Sequence, residues 1–432
     1  MNHQGPTLNF DKLIPWQRNF FSDAIRTKAK RAFEICLGKM LQPLPSSESD
    51  EEVPYLKAQH VHWGKVRFTD LPKMWASPKE IEQLSLLTAD LLVCEGGEVG
   101  RAAILHETPV KRCIIQNALH RVRNLPRGEV RFLAYCLEYA SQQKWFDVLC
   151  NKATIAHFTV EKFQDLWLFL PPLEKQRRIA NFLDRETARI DELVAEKEKM
   201  LELLEEKRSA LISRAVTRSL DPNVPLKPSG LPWLGDIPTH WETKRSKRVL
   251  RERDERSVSG EEELLTVSHI TGVTKRSEKD VNMFEAETKE GYKICSPGNL
   301  VINTLWAWMG AMGVSKENGL VSPAYHVYEL SNLIFPDYID LLVRTPAFAK
   351  EVTRFSKGVW SSRLRLYPEG LYEVHLPIPP IKEQKEIVAV IARERQKTFE
   401  FEKILKDSIL LIKERRSALI TATVTGQIEM KE

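Results

Sequence analysis

The sequence predicts an α+β chain in which two globular domains are separated by two long helices that pack as a coiled coil, all related by a pseudo-twofold internal repeat. Three observations carry that expectation. Pro171-Pro172-Leu173-Glu174-Lys175-Gln176 returns as Pro379-Pro380-Ile381-Lys382-Glu383-Gln384, an offset of 208 taking Pro171 to Pro379. Each copy is followed by a charged stretch without glycine or proline that carries a narrow apolar stripe. Between the copies lies a segment rich in proline and glycine.

The repeat runs without a gap. Ile179 falls on Ile387, Arg185-Glu186 on Arg393-Glu394, Arg208-Ser209-Ala210-Leu211-Ile212 on Arg416-Ser417-Ala418-Leu419-Ile420, and Val216-Thr217 on Val424-Thr425. Ungapped similarity of this kind is what helices show, because one inserted residue turns every following side chain by about 100°. A Pro-Pro pair cannot continue a strand or sit inside a helix, but it suits a helix start. Ile190, Val194, Leu201, Leu204 and Leu211 form one seam by steps of four and three, with Lys197 and Arg208 in its remaining places. Leu405, Ile409, Ile412 and Leu419 form the second, with Arg416 where the first has Arg208. A stripe so narrow needs a partner helix, parallel or antiparallel.

Upstream the repeat continues as framework strands. Phe163, Leu166, Leu168 and Leu170 fall on Leu371, Val374, Leu376 and Ile378. The segment Tyr55 to Val61 resembles Leu264 to Ile270, and Asp90-Leu91-Leu92-Val93 parallels Asn299-Leu300-Val301-Ile302. Alternation of apolar and polar residues marks half-buried strands. Residues 1–170 therefore form one globular domain, 171–220 a spacer helix, 221–240 a linker, 241–378 the second domain and 379–432 the second helix. The linker holds Pro222, Pro225, Pro228, Pro232 and Pro238 and is expected to be semi-rigid. Residues 1–33 do not match the Trp-rich lead-in of the second domain.

A chain of 432 residues is long enough for several cores, none needing disulfides or metals. The six cysteines are scattered, without zinc or redox spacing, and read as reduced, mostly buried thiols. There is no leader-like start and no window near the roughly 20 apolar residues that span a bilayer, so a soluble cytoplasmic protein without membrane contact is expected. Lys+Arg 64 against Asp+Glu 59, net +5 with pI near 8.7, permits an anionic partner without requiring one.

Catalytic motifs are missing. There is no Gly-x-x-x-x-Gly-Lys-Ser/Thr loop and no His-Glu-x-x-His helix. The Pro-Pro pairs follow Leu170 and Ile378, so neither supplies the Asn or Asp that grips a flipped adenine amine. Gly96-Gly97-Glu98-Val99-Gly100 reads as a loop between strands, and the charges from Glu196 to Lys199 as a solvated helix face. A non-catalytic chain without metal or cofactor is expected.

The strand ending in PPLEKQ or PPIKEQ, the helix closing on KRSALI or RRSALI, and the joining SGLPWLGDIPTHW together resemble the specificity subunits of type I restriction-modification systems. The short pieces YLKAQHVHWG and DLLVCEGGEVGRA fit the same family. The resemblance covers nearly the whole chain in organisation. It implies that the two globules are target-recognition domains reading the halves of a split double-stranded DNA target, and that the helices set their separation. It implies two methyltransferase subunits docked on the helices, S-adenosylmethionine bound on those partners, and two translocating restriction subunits in complexes that cut.

Reading base edges needs amide, guanidinium, hydroxyl or imidazole groups, with cations nearby for phosphates. In the first domain Lys57, Gln59, His60, His62, Lys65 and Arg67 cluster around one strand end, and Gln116, Asn117 and His120 near another. Lys144 and Lys152 precede the Pro-Pro element. The second domain offers His269, Thr274, Lys275 and Arg276, then Asn303, Thr304 and Trp306 in an aromatic loop. Lys357, Trp360, Ser361, Arg363 and Arg365 form a loop suited to gripping a backbone. For each residue singly the plain alternative is packing: a turn at Gln116-Asn117, a core histidine at His60, a buried tryptophan. The basic run Lys244 to Arg253 is diluted by acids and reads as a solvated helix. A different class of protein with the same outline is a duplicated coiled-coil scaffold whose globules bind proteins.

Overall fold

The computed structural model describes residues 21–107, 112–150, 157–279, 288–358 and 364–428. It divides into two compact units, Met1–Lys197 with Asp407–Glu432, and Glu198–Lys406. The helices that carry the argument are α1 (Val130–Gln142), α2 (Leu173–Arg218), α3 (Pro336–Val343) and α4 (Ile381–Val424). With 46 and 44 residues, α2 and α4 are the two repeated segments.

Unit 1 is built on strands β1 (Ile25–Lys28), β2 (Phe33–Leu37), β3 (Leu91–Cys94), β4 (Ala102–Ile104), β5 (Leu119–Asn124) and β6 (Trp167–Leu170). An antiparallel sheet runs β2-β5-β3-β4, and β1 pairs with β6. Its core joins Phe33, Leu91, Val93 and Val122 to Phe132, Leu133 and Leu137 of α1, Ile179 and Leu183 of α2, and Ile420 and Val424 of α4.

Unit 2 repeats the plan with β7 (Glu242–Arg245), β8 (Leu250–Arg253), β9 (Leu300–Asn303), β10 (Met312–Val314), β11 (Tyr325–Leu330) and β12 (His375–Ile378). Its sheet runs β8-β11-β9-β10, and β7 pairs with β12. Leu250, Leu300, Ile302 and Tyr328 pack on Ile339 and Leu342 of α3, Ala215 and Val216 of α2, and Ile387 and Ile391 of α4.

The equivalence reaches individual bonds. Leu87 N–H donates to the Asp90 carboxylate at 2.8 Å, and Ser296 N–H to the Asn299 amide oxygen at 2.9 Å. Ala29 N–H donates to Leu166 O and Ser246 N–H to Val374 O, both at 2.8 Å. The first domain therefore begins as the second does. Ala29-Lys30-Arg31-Ala32-Phe33 stands for Ser246-Lys247-Arg248-Val249-Leu250 even though the residues before it differ.

This lead-in corrects the helix expected over the basic run. Lys244 to Arg253 forms two strands joined by a single 3-10 turn. Backbone pairing with β12 and β11 fixes it as extended, and Lys244, Arg245 and Arg253 are met by Glu242, Glu373 and Glu255.

The Pro-Pro-x-x-x-Gln motif has a structural reason. Gln176 is buried and donates its amide to Pro171 O at 2.8 Å and Arg127 O at 3.0 Å, while accepting Glu129 N–H at 3.1 Å. Gln384 does the same for Pro379 O at 2.8 Å, Leu333 O at 2.9 Å and Phe335 N–H at 2.7 Å. One side chain thus ties helix start, strand end and globule together. Replacing Gln176 by Leu orphans these groups at a cost of about 1–3 kcal/mol each. Denaturant unfolding should show the loss, and a Gln176→Leu protein as stable as the parent would show that the amide does not hold the junction.

Along α2 the seam positions Ile190, Val194, Lys197, Leu201, Leu204, Arg208 and Leu211 are all buried or half-buried. Those of α4, Leu405, Ile409, Ile412, Arg416 and Leu419, are too. In unit 1 Ile179 and Leu183 meet Ile420 and Val424, and Asp191 meets Arg416, so later residues of α4 face earlier ones of α2. In unit 2 Ala215 and Val216 meet Ile387 and Ile391 in the same sense. Each unit holds an antiparallel pair.

The proline-rich segment is a hairpin, Leu226–Pro228 with Asp236–Pro238, packed on unit 2 through buried Leu234, Ile237 and Trp241. Glu383 accepts from Ser219 Oγ at 2.6 Å, His240 Nε2 at 2.8 Å and Trp241 Nε1 at 3.0 Å, fastening its two ends. All six cysteines are free, and burial pushes the Cys113 thiol up to about 12 and Cys295 up to about 11. Among the described residues no helix is long and apolar enough to cross a membrane, and no His/Cys/Asp/Glu group is arranged to hold a metal ion.

Candidate nucleic-acid interface

In unit 1 parallel pairing of Leu56 with Ile115 sets Lys57 beside Gln116. Gln116 N–H donates to Leu56 O and Asn117 N–H to Lys39 O, both at 2.9 Å. The approach is close, since a Cβ on Gly38 would lie 2.2 Å from Gln116 O. Lys57, Gln116 and Asn117 are half-buried on this rim, and Gln59 is exposed next to it.

His62 pairs with Lys65 across the short hairpin Val61–His62 and Lys65–Val66, which leaves Lys65 and Arg67 exposed. Trp63 Nε1 donates to Glu98 at 2.6 Å and anchors the tip on the glycine-rich loop. Gly100 of that loop has φ +79° and its missing Cβ would lie 2.2 Å from the Phe146 ring. Glu98 also pairs with Arg101 at 2.9 Å, so the loop offers an arriving anion a carboxylate.

Two histidines of the candidate set are interior. His60 is buried and its Nδ1 accepts Lys57 N–H at 3.1 Å. Burial first, and Lys57 next, lower its pKa and keep the ring neutral. His120 is fully buried in β5, its Nε2 on Phe158 O at 2.7 Å and its ring against Phe158 and Phe163. Burial again lowers its pKa. His120 is thus a core histidine and not part of the exposed rim. Lys144 is exposed, in a left-handed backbone at φ 55° opening the short helix Trp145–Leu149. Lys152 lies outside the described residues.

In unit 2 the aromatic loop leaves β9 and returns as β10. Asn303 and Thr304 are buried at its base and hold its shape. Asn303 Nδ2 donates to Tyr325 Oη at 3.0 Å and its Oδ1 accepts Leu305 N–H at 3.2 Å, while Thr304 Oγ1 donates to Ala324 O at 2.7 Å. Both are positioning residues, their polar groups spent on the frame. Trp306, for which burial is the plainer expectation, is 50% exposed and stacks on Trp308 at 6.2 Å between ring centres. Leu305 and Met309 are exposed beside it.

Lys357 and Arg365 exchange two backbone hydrogen bonds of 2.9 Å and close the stem of the next loop. Leu366 N–H then donates to Thr304 O at 3.1 Å, which draws the exposed Lys357 and Arg365 toward the Trp306 loop. Trp360, Ser361 and Arg363 lie outside the described residues. Thr274 Oγ1 is buried without a partner among the described residues, and Lys275 stands 3.8 Å from Glu317. Arg276 is half-buried just beyond that strand. His269 is exposed at the hairpin tip between Leu265–Ser268 and Gly272–Lys275, and it lines a cleft with α2 and Arg344.

Sequence reasoning noted Arg208 and Arg416 only as basic seam residues. In unit 1 Arg416 is paired with Glu138 of α1 and, at 2.9 Å, with Asp191 of α2. Nothing local in the chain signals that junction.

Residues 77–203 match the family model described as the type I restriction modification DNA specificity domain. The chain is 24% identical over 298 residues to the EcoBI specificity subunit of a type I restriction enzyme from Escherichia coli. It is 21% identical over 295 residues to the MjaVIII specificity subunit from Methanocaldococcus jannaschii. Each match covers 64% of this chain and 62% and 65% of the respective relatives, so the chain spans just under two thirds of their length. Its fold is similar to a chain solved in work on complex assembly and conformational transition of the type I R-M system, with TM-score 0.66, 13% identity, and 94% and 99% of the two chains covered. It is also similar to the HsdS subunit from Thermoanaerobacter tengcongensis, with TM-score 0.52, 13% identity, and 94% and 98% covered. At these identities the structural likeness is one of fold.

Proposed function

We propose that the chain is the DNA sequence-specificity subunit of a type I restriction-modification complex, binding a bipartite double-stranded target, a reading supported by the match of residues 77–203 to the specificity-domain model and by the similarity to two specificity subunits. The observation that carries the reading is a framework made twice and loops made differently. Gln176 and Gln384, Asp90 and Asn299, and both lead-in turns repeat bond for bond. The exposed residues do not repeat: Gln59 falls on Ser268, and the exposed loops carry Lys65 and Arg67 in one unit but Trp306, Lys357 and Arg365, from other places in the plan, in the second. Two readers of unlike half-sites on a shared mount have this form. The chain does no chemistry itself in this proposal. It docks two methyltransferase subunits, which bring S-adenosylmethionine, and two restriction subunits where the complex cuts.

Duplex binding followed by fluorescence anisotropy tests it. Affinity should fall linearly in log salt as phosphate contacts release counterions. Arg365→Ala and Lys357→Ala should weaken all duplexes alike and each reduce the salt slope by about 1. Trp306→Ala should leave unfolding stability within about 0.5 kcal/mol, as exposed sites do, yet weaken duplex binding. Absent or salt-independent duplex binding would sink the assignment.

A further inference from the structure

The repeat supplies a comparison inside one molecule. In unit 1 a cleft of about 330 Å³ is lined by two guanidinium groups, Arg131 and Arg416, and three carboxylates, Glu138, Asp184 and Asp191. Arg416 is paired with Glu138 and Asp191, and Arg131 with Asp184 at 2.9 Å, so each guanidinium of the cleft is met by a carboxylate.

In unit 2 the corresponding cleft, about 310 Å³, has lost those acids. The helix offset of 208 takes Arg416 to Arg208, Asp191 to Phe399, Asp184 to Ala392 and Thr187 to Arg395. At the globule junction the bonds of Gln176 and Gln384 fix a different offset, 206, taking Arg127 to Leu333 and Glu129 to Phe335. By that offset Arg344 stands where Glu138 stands. Three guanidinium groups, Arg208, Arg344 and Arg395, now line the space with one carboxylate, Glu205.

The available anions are already committed. Glu205 pairs with Arg208 on its own helix at 2.6 Å. Asp340 pairs with Arg344 at 3.4 Å and accepts Val314 N–H at 2.9 Å. Arg344 Nε is buried without a partner, and Arg395 makes no hydrogen bond or ion pair among the described residues. Burial first, then Arg344 and, less, Arg208, loosen the hold of Arg395 on its proton. Like charges held this close are unfavourable unless an anion joins them.

We propose that the cleft of Arg208, Arg344 and Arg395 in unit 2 binds a small oxyanion, a phosphate or phosphate monoester, that does the work Glu138 and Asp191 do in unit 1. A carboxylate offers two oxygens in one plane, whereas a phosphate offers oxygens around a centre and matches several guanidinium forks at once. Ser209 and His269 on the same lining add donors.

Full-length protein titrated with sodium phosphate, against sodium chloride at matched ionic strength, tests this by melting temperature and calorimetry. Phosphate should raise the melting temperature saturably, as any ligand of the folded state does, and chloride should not. Arg395→Gln removes one of the three like charges, so it should hold or raise the ligand-free melting temperature, and it should weaken phosphate binding by about tenfold or more. Phe399→Asp restores the acid of the first unit and should raise the ligand-free melting temperature while abolishing the phosphate response. Identical effects of phosphate and chloride, or an unchanged response in Arg395→Gln, overturn the proposal. Duplex affinity of Arg395→Gln separates the two sources of phosphate. It should equal the parent's, and a parallel loss would give the cluster to the DNA backbone and remove the small-ion reading.

Discussion

Arg416→Met is expected to destabilise unit 1 by about 3–5 kcal/mol, the cost of leaving one member of a buried ion pair alone. Arg416 is the shared counterion of Glu138 on α1 and Asp191 on α2, and Glu138 is largely buried. Burial already holds the Glu138 pKa above its ordinary value, with Arg416 pulling it down. Removing the guanidinium lets it rise further. A carboxyl whose folded pKa is raised stabilises the fold fully only below its unfolded pKa, and that contribution is lost as pH climbs through the folded value. The variant should therefore lose stability progressively as pH climbs above the ordinary carboxylate range, where the parent stays flatter. Unfolding curves across that range measure it. A loss under about 1 kcal/mol at neutral pH, the worth of a surface pair, would show that Arg416 is solvated rather than a buried link.

On the proposed function, exchanging residues 1–170 for those of a relative with a different target is expected to change one half of the recognised sequence and leave the other half intact. The reason is structural as well as functional: the swapped segment closes on itself through β1 with β6, and its junction to α2 is carried by Gln176. Each mismatched pair costs about 1–3 kcal/mol, so three changed pairs alter preference by several orders of magnitude. Selection of bound duplexes from a random pool, with the methyltransferase partner present, reads both halves at once. A hybrid that alters both halves, or neither, contradicts two independent readers.

Much of this architecture is legible in the chain because helices and framework strands obey short periodicities. The seams of α2 and α4, the junctions at Pro171 and Pro379, and β3 and β9 follow from spacing alone. The strands at Lys244 to Arg253 were not legible as strands, since their extended form depends on pairing with residues more than 70 positions away. His120 and Asn303 had the chemistry of base readers, but which face of a strand meets the core is set by the sheet's partners and not by the residue. Trp306 went the other way, out of the core, because Asn303, Thr304 and Gly310 hold its loop open from beneath.

The amino-acid sequence by itself determined the duplication, the two long helices and their apolar seams, because those depend on residues a few positions apart. Only the tertiary structure decided which charges meet. Arg416 and Arg208 both open the run Arg-Ser-Ala-Leu-Ile, yet Arg416 lies between two carboxylates and Arg208 lines a cleft with two more arginines. The physical reason is that the long helices repeat at an offset of 208 while the junctions that lead into α1 and α3 repeat at 206, so the partner across the junction is fixed by packing. Electrostatic environment is a property of space, and the chain carries it only after folding has brought α1 or α3 against the long helices.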